Sequence, residues 1–204
     1  AGVGIAPLQS QNICKFSSKN AASWANYHVS VGNGYYLELD TTDAQESASS
    51  VWGDTTPSST TFRVGGANTK NNSSSDNFVS YCFTPIQGYS KFGKYTGNGA
   101  EPGGPFVYLG FKPAWLMIKP TSLTGYWVML DNKRNTPNGT GKRLGAQAND
   151  AEYGSTNVDL LSNGFKVRAA GSDSDTNNSG SSYIYMAFAE HPFVSSKGIP
   201  TTAR

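Results

Sequence analysis

TFRVGGANTKNNSSSDNFVSYCF, residues 61–83, and GFKVRAAGSDSDTNNSGSSYIYMAF, residues 164–188, carry one pattern twice. Each opens with an aromatic-basic-valine strand start, passes through an Asn/Ser/Asp loop and closes on an aromatic strand ending in Phe, and the second loop is two residues longer. Outward from this pair, Phe62 answers Phe165 and Trp24 answers Trp127 at one common spacing, while Ile13-Cys14-Lys15-Phe16 falls opposite Leu116-Met117-Ile118-Lys119. A unit repeated twice at this length is neither a short-period solenoid nor a blade array. The expectation is a single domain, residues 1–204, built from two similar halves at about 1–96 and 105–193, with a linker at 97–104 and a C-terminal tail at 194–204.

Of 204 residues, 12% are aromatic and 15% charged, and 23 Gly with 10 Pro supply many turns. That balance belongs to short strands, and the length allows a sizeable core in one all-β body. Sixteen basic against fourteen acidic residues leave a net charge of +2 with no basic stripe. Nucleic-acid binding, which replaces counterions on phosphates, is therefore not expected. The densest basic stretch, Asn132-Lys133-Arg134 with Lys142-Arg143, is split by Thr136-Pro137-Asn138-Gly139 and reads as a solvated hairpin. No apolar run has the length of a membrane span, and no signal peptide is visible. Cys14 and Cys82 sit in apolar runs opposite Met117 and Met186 or Ala187, which predicts buried thiols, with one disulfide as the alternative. Buried thiols suit folding in a reducing cytosol.

Apolar runs bounded by Gly, Pro, Asn and Ser predict strands near 12–16, 26–31, 35–40, 60–66, 77–84, 105–110, 113–120, 125–131, 163–169 and 181–189, with weaker ones at 91–96, 142–147 and 157–161. A hairpin is expected across Gly32-Asn33-Gly34, with positive φ at its tip, and tight turns at Asn138-Gly139 and Asn163-Gly164. Thr42 to Ser50 could hold a turn or two of helix, because Asp43 and Glu46 have capping-box spacing. In Tyr183-Ile184-Tyr185-Met186-Ala187-Phe188 and Trp115-Leu116-Met117-Ile118 both alternating faces are apolar. A strand of a plain two-sheet sandwich needs one dry face. Loops or a neighbouring subunit must cover the other, and a homo-oligomer, with a trimer among the options, is one way to do so.

Few residues suggest chemistry. Glu38 and Asp40 point to one side of a strand and, with Asp43, approach the Glu-x-Asp-x-x-Glu arrangement of retaining β-glucanases, but no second carboxylate run completes it. Asp173 to Gly180 alternates oxygen donors as a calcium loop does, yet its Gly comes late and no bidentate Glu follows, so a solvated loop is expected. With His28 and His191 as the sole histidines and no Cys-x-x-Cys, no zinc centre is expected. There is no Gly-x-Ser-x-Gly elbow and no triad context. No catalytic residue, metal or cofactor is assigned. Aromatics that recur in both halves belong to the core. Those without a counterpart, Tyr35, Tyr36, Trp52, Tyr89, Tyr95, Tyr126 and Tyr153, fall at turns or strand ends and are the glycan-contact candidates, since sugars offer an apolar face for stacking and hydroxyls for hydrogen bonds.

Gly110-Phe111-Lys112-Pro113-Ala114-Trp115-Leu116-Met117-Ile118-Lys119, Trp127 to Asp131, Asn163 to Val167, Tyr183 to Phe193 and Lys91 to Gly99 together give the chain a family likeness. It resembles the C-terminal domains of virion proteins, often called tail fibre proteins, of phages that infect aquatic bacteria including cyanobacteria. The likeness covers nearly the whole chain, ending with Ile199 to Arg204. It implies a concanavalin A-like jelly-roll sandwich on the outside of a phage particle and brings no catalytic residue with it. The N-terminal half departs most, with Ile5-Ala6-Pro7-Leu8 where the family has Gly-Phe-x-Pro. Ala1 in place of Met suits a domain of a longer fibre or a processed virion subunit. The reading that follows is a non-enzymatic virion adhesion domain, a tail-fibre tip, whose partners are a host surface carbohydrate and other virion proteins. The alternatives are a capsid or tail decoration protein making only protein contacts, and a glycan depolymerase using Glu38, Asp40 and Asp43.

Overall fold

Tyr183 to Phe188, apolar on both faces, lies at the centre of the molecule, where the chain itself covers both faces. The computed structural model describes residues 11–16 (backbone), 23–47, 49–66, 70–72, 76–134, 141–154, 158–169 and 173–192. Within these the strands are β1 (Gln11–Phe16), β2 (Ala25–His28), β3 (Tyr35–Glu38), β4 (Glu46–Ser47), β5 (Phe78–Phe83), β6 (Ser90–Thr96) and β7 (Phe106–Tyr108). There follow β8 (Pro113–Pro120), β9 (Val128–Asp131), β10 (Lys142–Gly145), β11 (Tyr153–Gly154), β12 (Val158–Leu161), β13 (Gly164–Val167) and β14 (Ser182–Ala189). One helical turn, α1 (Ser49–Trp52), interrupts them. The protein is all-β, as its composition predicts.

Three antiparallel sheets form, in the orders β4-β3-β2-β1-β5, β11-β10-β9-β8-β14-β6 and β12-β13-β7. The six-stranded sheet is the middle layer. On one side Met117, Trp127, Ile184 and Met186 meet Leu37 of the five-stranded sheet, with Phe83, Phe92 and Phe188 interlocked at their edge. On the other side Leu116, Ile118, Val128, Tyr183 and Tyr185 meet Val107, Leu160, Phe165 and Val167 of the three-stranded sheet. Covering both faces explains why β8 and β14 read as continuous apolar runs, each such side chain contributing about 1.5–3 kcal/mol on burial. The second cover thus comes from β7, β12 and β13, and the doubly apolar strands need no neighbouring subunit.

The outer face of the five-stranded sheet carries a smaller cluster of Ala25, Tyr27, Tyr36, Val51 and Trp52, with Phe62 packed on it. Two expectations fail there. Residues 60–66 form no strand: Gly65 donates to Val51 O of α1 at 2.8 Å, and a Cβ on Gly65 would lie 1.4 Å from Ser50 O, so this segment is pressed onto the helix instead of a ladder. Helix in Thr42 to Ser50 is reduced to Ser49 and Ser50, because Glu46–Ser47 pairs with β3 as β4. The Gly32 turn has its positive φ, at +88°. Cys82 is also not buried; it is a free, exposed thiol on β5. The side chain of Cys14, the turn at Asn138-Gly139 and the tail 194–204 lie outside what the structure describes.

The sheet orders place the two halves in register. With Trp24 and Trp127 at the same position, Leu39 N donates to Trp24 O and Ala146 N to Trp127 O, both preceding equivalent ladders. Ala25 faces Cys14 where Val128 faces Ile118, so Lys15, and not Phe16, stands at the place of Lys119. β6 lies in the first half of the sequence yet pairs with β14, and the 97–100 segment is tied by Gly97 N to Ser181 O and Gly99 N to Asn177 O.

Candidate functional site

Strand β7 alternates exposed, buried, exposed: Val107 enters the core while Phe106 and Tyr108 stand out, 47% and 60% exposed. Its one ladder is to β13, which leaves it at the sheet edge. Opposite it runs the turn 85–91, closed by Ser90 N to Ile86 O at 2.9 Å and Ile86 N to Ser90 Oγ at 3.1 Å, and anchored to β14 where Ala189 N meets Tyr89 O. Gly88 at φ +73° and Gly110 at φ +85° supply the two left-handed corners. Between these walls lies a groove of about 370 Å³ lined chiefly by Ile86, Gln87, Lys91, Tyr108 and Phe111. Lys91 donates to Tyr108 O at 2.7 Å and sits 5.3 Å from the Tyr108 ring centre. Its pKa is lowered by burial. The groove therefore offers an aromatic ring held from one side by a cation, an exposed aliphatic side chain in Ile86 and an amide in Gln87, on walls fixed by backbone bonds.

The seven rings chosen from sequence do not converge here. Tyr36 and Trp52 are buried in the outer cluster, with Trp52 Nε1 donating to Tyr35 O at 3.0 Å, and Tyr95 is buried with its hydroxyl on Thr176 O at 2.8 Å. Those three are corrected from surface to core: each ring sits on a strand or helix face that another layer covers. Tyr35 and Tyr89 are exposed, and Tyr89 packs edge-on to Phe188 at 5.5 Å. Tyr126 and Tyr153 meet at 6.1 Å, half-buried beside Arg143, which lies 4.6 Å from the Tyr153 ring. Phe106, Tyr108, Ile86 and Gln87 were missed. The signal was present in Phe106-Val107-Tyr108, a strand whose two outward positions are both aromatic.

Glu38, Asp40 and Asp43 do not form a carboxylate pair on one strand face. Glu38 is buried against Lys70, and Asp40, past the end of β3, accepts Trp24 N at 2.9 Å. Acidic atoms of Glu38, Asp43 and Glu46 do lie within 4.8 Å of one another. Lys70 pairs with Glu38 and also covers the Tyr36 ring, and Tyr36 donates to Glu46. Burial and that bond push the Tyr36 hydroxyl up to about 12. A cation bound there would have to displace Lys70. In the Asp173 to Gly180 loop, Asp173 and Asp175 face Arg143 at 3.4 and 3.2 Å.

Two buried bases lie at the seams. His28 Nδ1 accepts Ser30 N at 3.1 Å, so the proton sits on Nε2 and points to Tyr185 O at 3.3 Å, bridging two sheets; burial lowers its pKa to about 4. Lys119, 0% exposed, donates to Thr42 O and Gly125 O at 3.0 and 2.8 Å. Burial brings it down to about 8 against the pull of Asp175 and Asp43. Both hold backbone carbonyls and face no groove described above.

No curated protein and no solved structure matches the chain. One family model does, over residues 2–192, and the chain accordingly belongs to the family described as Domain of unknown function (DUF7483).

Proposed function

We propose that this protein is a non-enzymatic adhesion domain on the exterior of a phage particle, and that the groove between the 85–91 turn and β7 binds a host surface glycan. The observation that carries the reading is the outward Tyr108 ring sharing a groove of about 370 Å³ with Gln87 and Ile86. A flat ring of that kind stacks on the apolar face of a sugar, and the neighbouring amide meets its hydroxyls. The likeness to tail-fibre C-terminal domains, with the jelly-roll it implies, supports the placement. The decoration-protein alternative drew on doubly apolar strands, and these find their cover within the chain. A depolymerase would need Glu38 free as an acid or nucleophile, and Lys70 holds it.

Calorimetric titration of the protein with host surface polysaccharide tests the proposal. Binding is expected, and Tyr108→Ala should weaken it at least tenfold without changing the unfolding midpoint, since the ring is exposed. No binding, together with unchanged phage adsorption when the domain is deleted, overturns the reading.

A further inference from the structure

On the opposite face of β6 from Lys91 lies a second, polar cleft. Lys91 pairs with Ala187, whose side faces the three-stranded sheet, whereas Lys94 pairs with Ile184, whose side faces the five-stranded one. The cleft, about 220 Å³, is lined by Ser30 and Val31 after β2, Gln45, Lys94, Thr121 and Ser122 after β8, and the start of β14. Its walls are joined by hydrogen bonds: Gln45 N to Thr121 O at 2.9 Å, Thr121 N to Ser182 O at 2.8 Å, and Ser182 N to Ser122 Oγ at 3.0 Å.

This cleft is lined by one cation and by no anion. Ser122 Oγ already accepts the Ser182 amide, so its hydroxyl hydrogen is left to donate outward. Among the described residues no hydrogen bond or ion pair engages the Lys94 ammonium, the Gln45 side-chain amide or the Ser30 hydroxyl, and no carboxylate lines the cleft. One cation, one amide and several hydroxyls around a space for one sugar ring, with no acid among them, call for a negatively charged, acceptor-rich guest. We infer that this cleft binds the carboxylate of an acidic sugar, a hexuronate residue of a glycan. The ligand class rests on the glycan-binding reading above, while the cleft and its donors are separate from the aromatic groove.

Titrating isotope-labelled protein by NMR with an oligomer of glucuronic acid, with the neutral glucose oligomer of equal length and with acetate tests it. The uronate oligomer should shift the amides of Lys94, Ser122 and Ser182, bind at least tenfold tighter than the neutral oligomer and far tighter than acetate, and weaken as salt is raised. Lys94→Met, which keeps the stem at an exposed position and removes the charge, should lower uronate affinity at least tenfold, and Ser122→Ala should lower it less. Equal affinity for both oligomers, acetate binding as tightly as the uronate, or unchanged binding by Lys94→Met overturns the inference. Host polysaccharide binding that needs Tyr108 but shifts no cleft amide removes the inference and leaves the adhesion reading in place. Uronate bound in the cleft with no host polysaccharide bound anywhere does the reverse.

Discussion

The five-stranded and six-stranded sheets share the order of their first five strands, yet one is deeply buried and the other thinly covered. Against the outer face of the six-stranded sheet packs a second cluster of seventeen buried residues, completed by β7, β12 and β13. Against the outer face of the five-stranded sheet, the described residues provide five, under α1 and an irregular loop. The same strand order can thus be finished with a sheet or with a loop, and the stability of the two ends should differ accordingly.

Phe165 and Phe62 sharpen that difference most. Phe165 is fully buried, edge-on to Tyr95 at 5.9 Å and Tyr185 at 5.4 Å, while Phe62 is partly exposed beside Trp52's cluster. Phe165→Ala should cost about 3–5 kcal/mol in urea unfolding. Phe62→Ala should cost about 1 kcal/mol, since a partly exposed ring loses less transfer energy and leaves a void that loops can fill. Equal losses would mean that the loop cover is as firm as the sheet.

His28 and Asp131 occupy the same ladder position, opposite Gln11 and Trp115 respectively, and respond to acid by opposite routes. Asp131 is partly exposed; burial would raise its pKa, but bonds from Arg134 and Lys133 outweigh this and lower it, so its contribution is lost only as pH falls below the usual carboxylate range. His28 is a base whose folded pKa, about 4, lies below its ordinary 6.5. Between these values the unfolded chain binds the proton and the folded one does not, so stability rises with pH through this window and is lost as pH falls from 6.5 to 4. The loss should be about 3 kcal/mol. The cost comes chiefly from holding a charged ring in a buried site, and a proton on Nδ1 would in addition face Ser30 N–H. Urea midpoints measured across that range should slope for the native protein and flatten for His28→Gln; a slope that persists in the variant would assign the acid sensitivity elsewhere.

The repeated pattern at 61–83 and 164–188 made the all-β class and most strands legible, because apolar period-two runs between Gly and Asn turns have few other readings. It misled at 60–66, where the aromatic-basic-valine opening matches β13 but the following Gly65-Gly66 lets the chain fall against α1. The third sheet was hidden as well, since β7 is three residues long and its pairing with β13, more than fifty residues on, has no local mark, although β12 and β13 form a hairpin. The groove was missed for a related reason: choosing rings without a repeat counterpart selects for asymmetry, and Tyr36, Trp52 and Tyr95 are asymmetric yet buried. Exposure depends on which layer lands on a face, a property of long-range packing that no single ring announces.

The two sheets also reverse their ion pairs. Tyr36 pairs across β3 and β4 with Glu46, at the place where Arg143 pairs across β10 and β11 with Tyr153. In the first, a carboxylate of the sheet, Glu38, meets a loop cation, Lys70, while Tyr36 donates to Glu46; in the second, the sheet cation Arg143 meets loop carboxylates, Asp173 and Asp175. The consequences of deleting the cation should differ. Arg143→Met strips two mostly buried carboxylates of their partner and should cost about 2–3 kcal/mol, somewhat below a fully buried pair because Asp173 and Asp175 keep bonds from Asp175 N, Thr176 and Tyr126 N. Lys70 is one-third exposed and solvent screens its charge, so Lys70→Met, which leaves the mostly buried Glu38 without its cation, should cost about 1–2 kcal/mol, less than Arg143→Met, which strips two carboxylates. Raising salt should narrow the deficit of Lys70→Met and leave that of Arg143→Met nearly unchanged, because screening reaches the exposed pair first. The opposite ranking in urea unfolding would place the firmer end of the molecule at the five-stranded sheet and undo the contrast between the two covers.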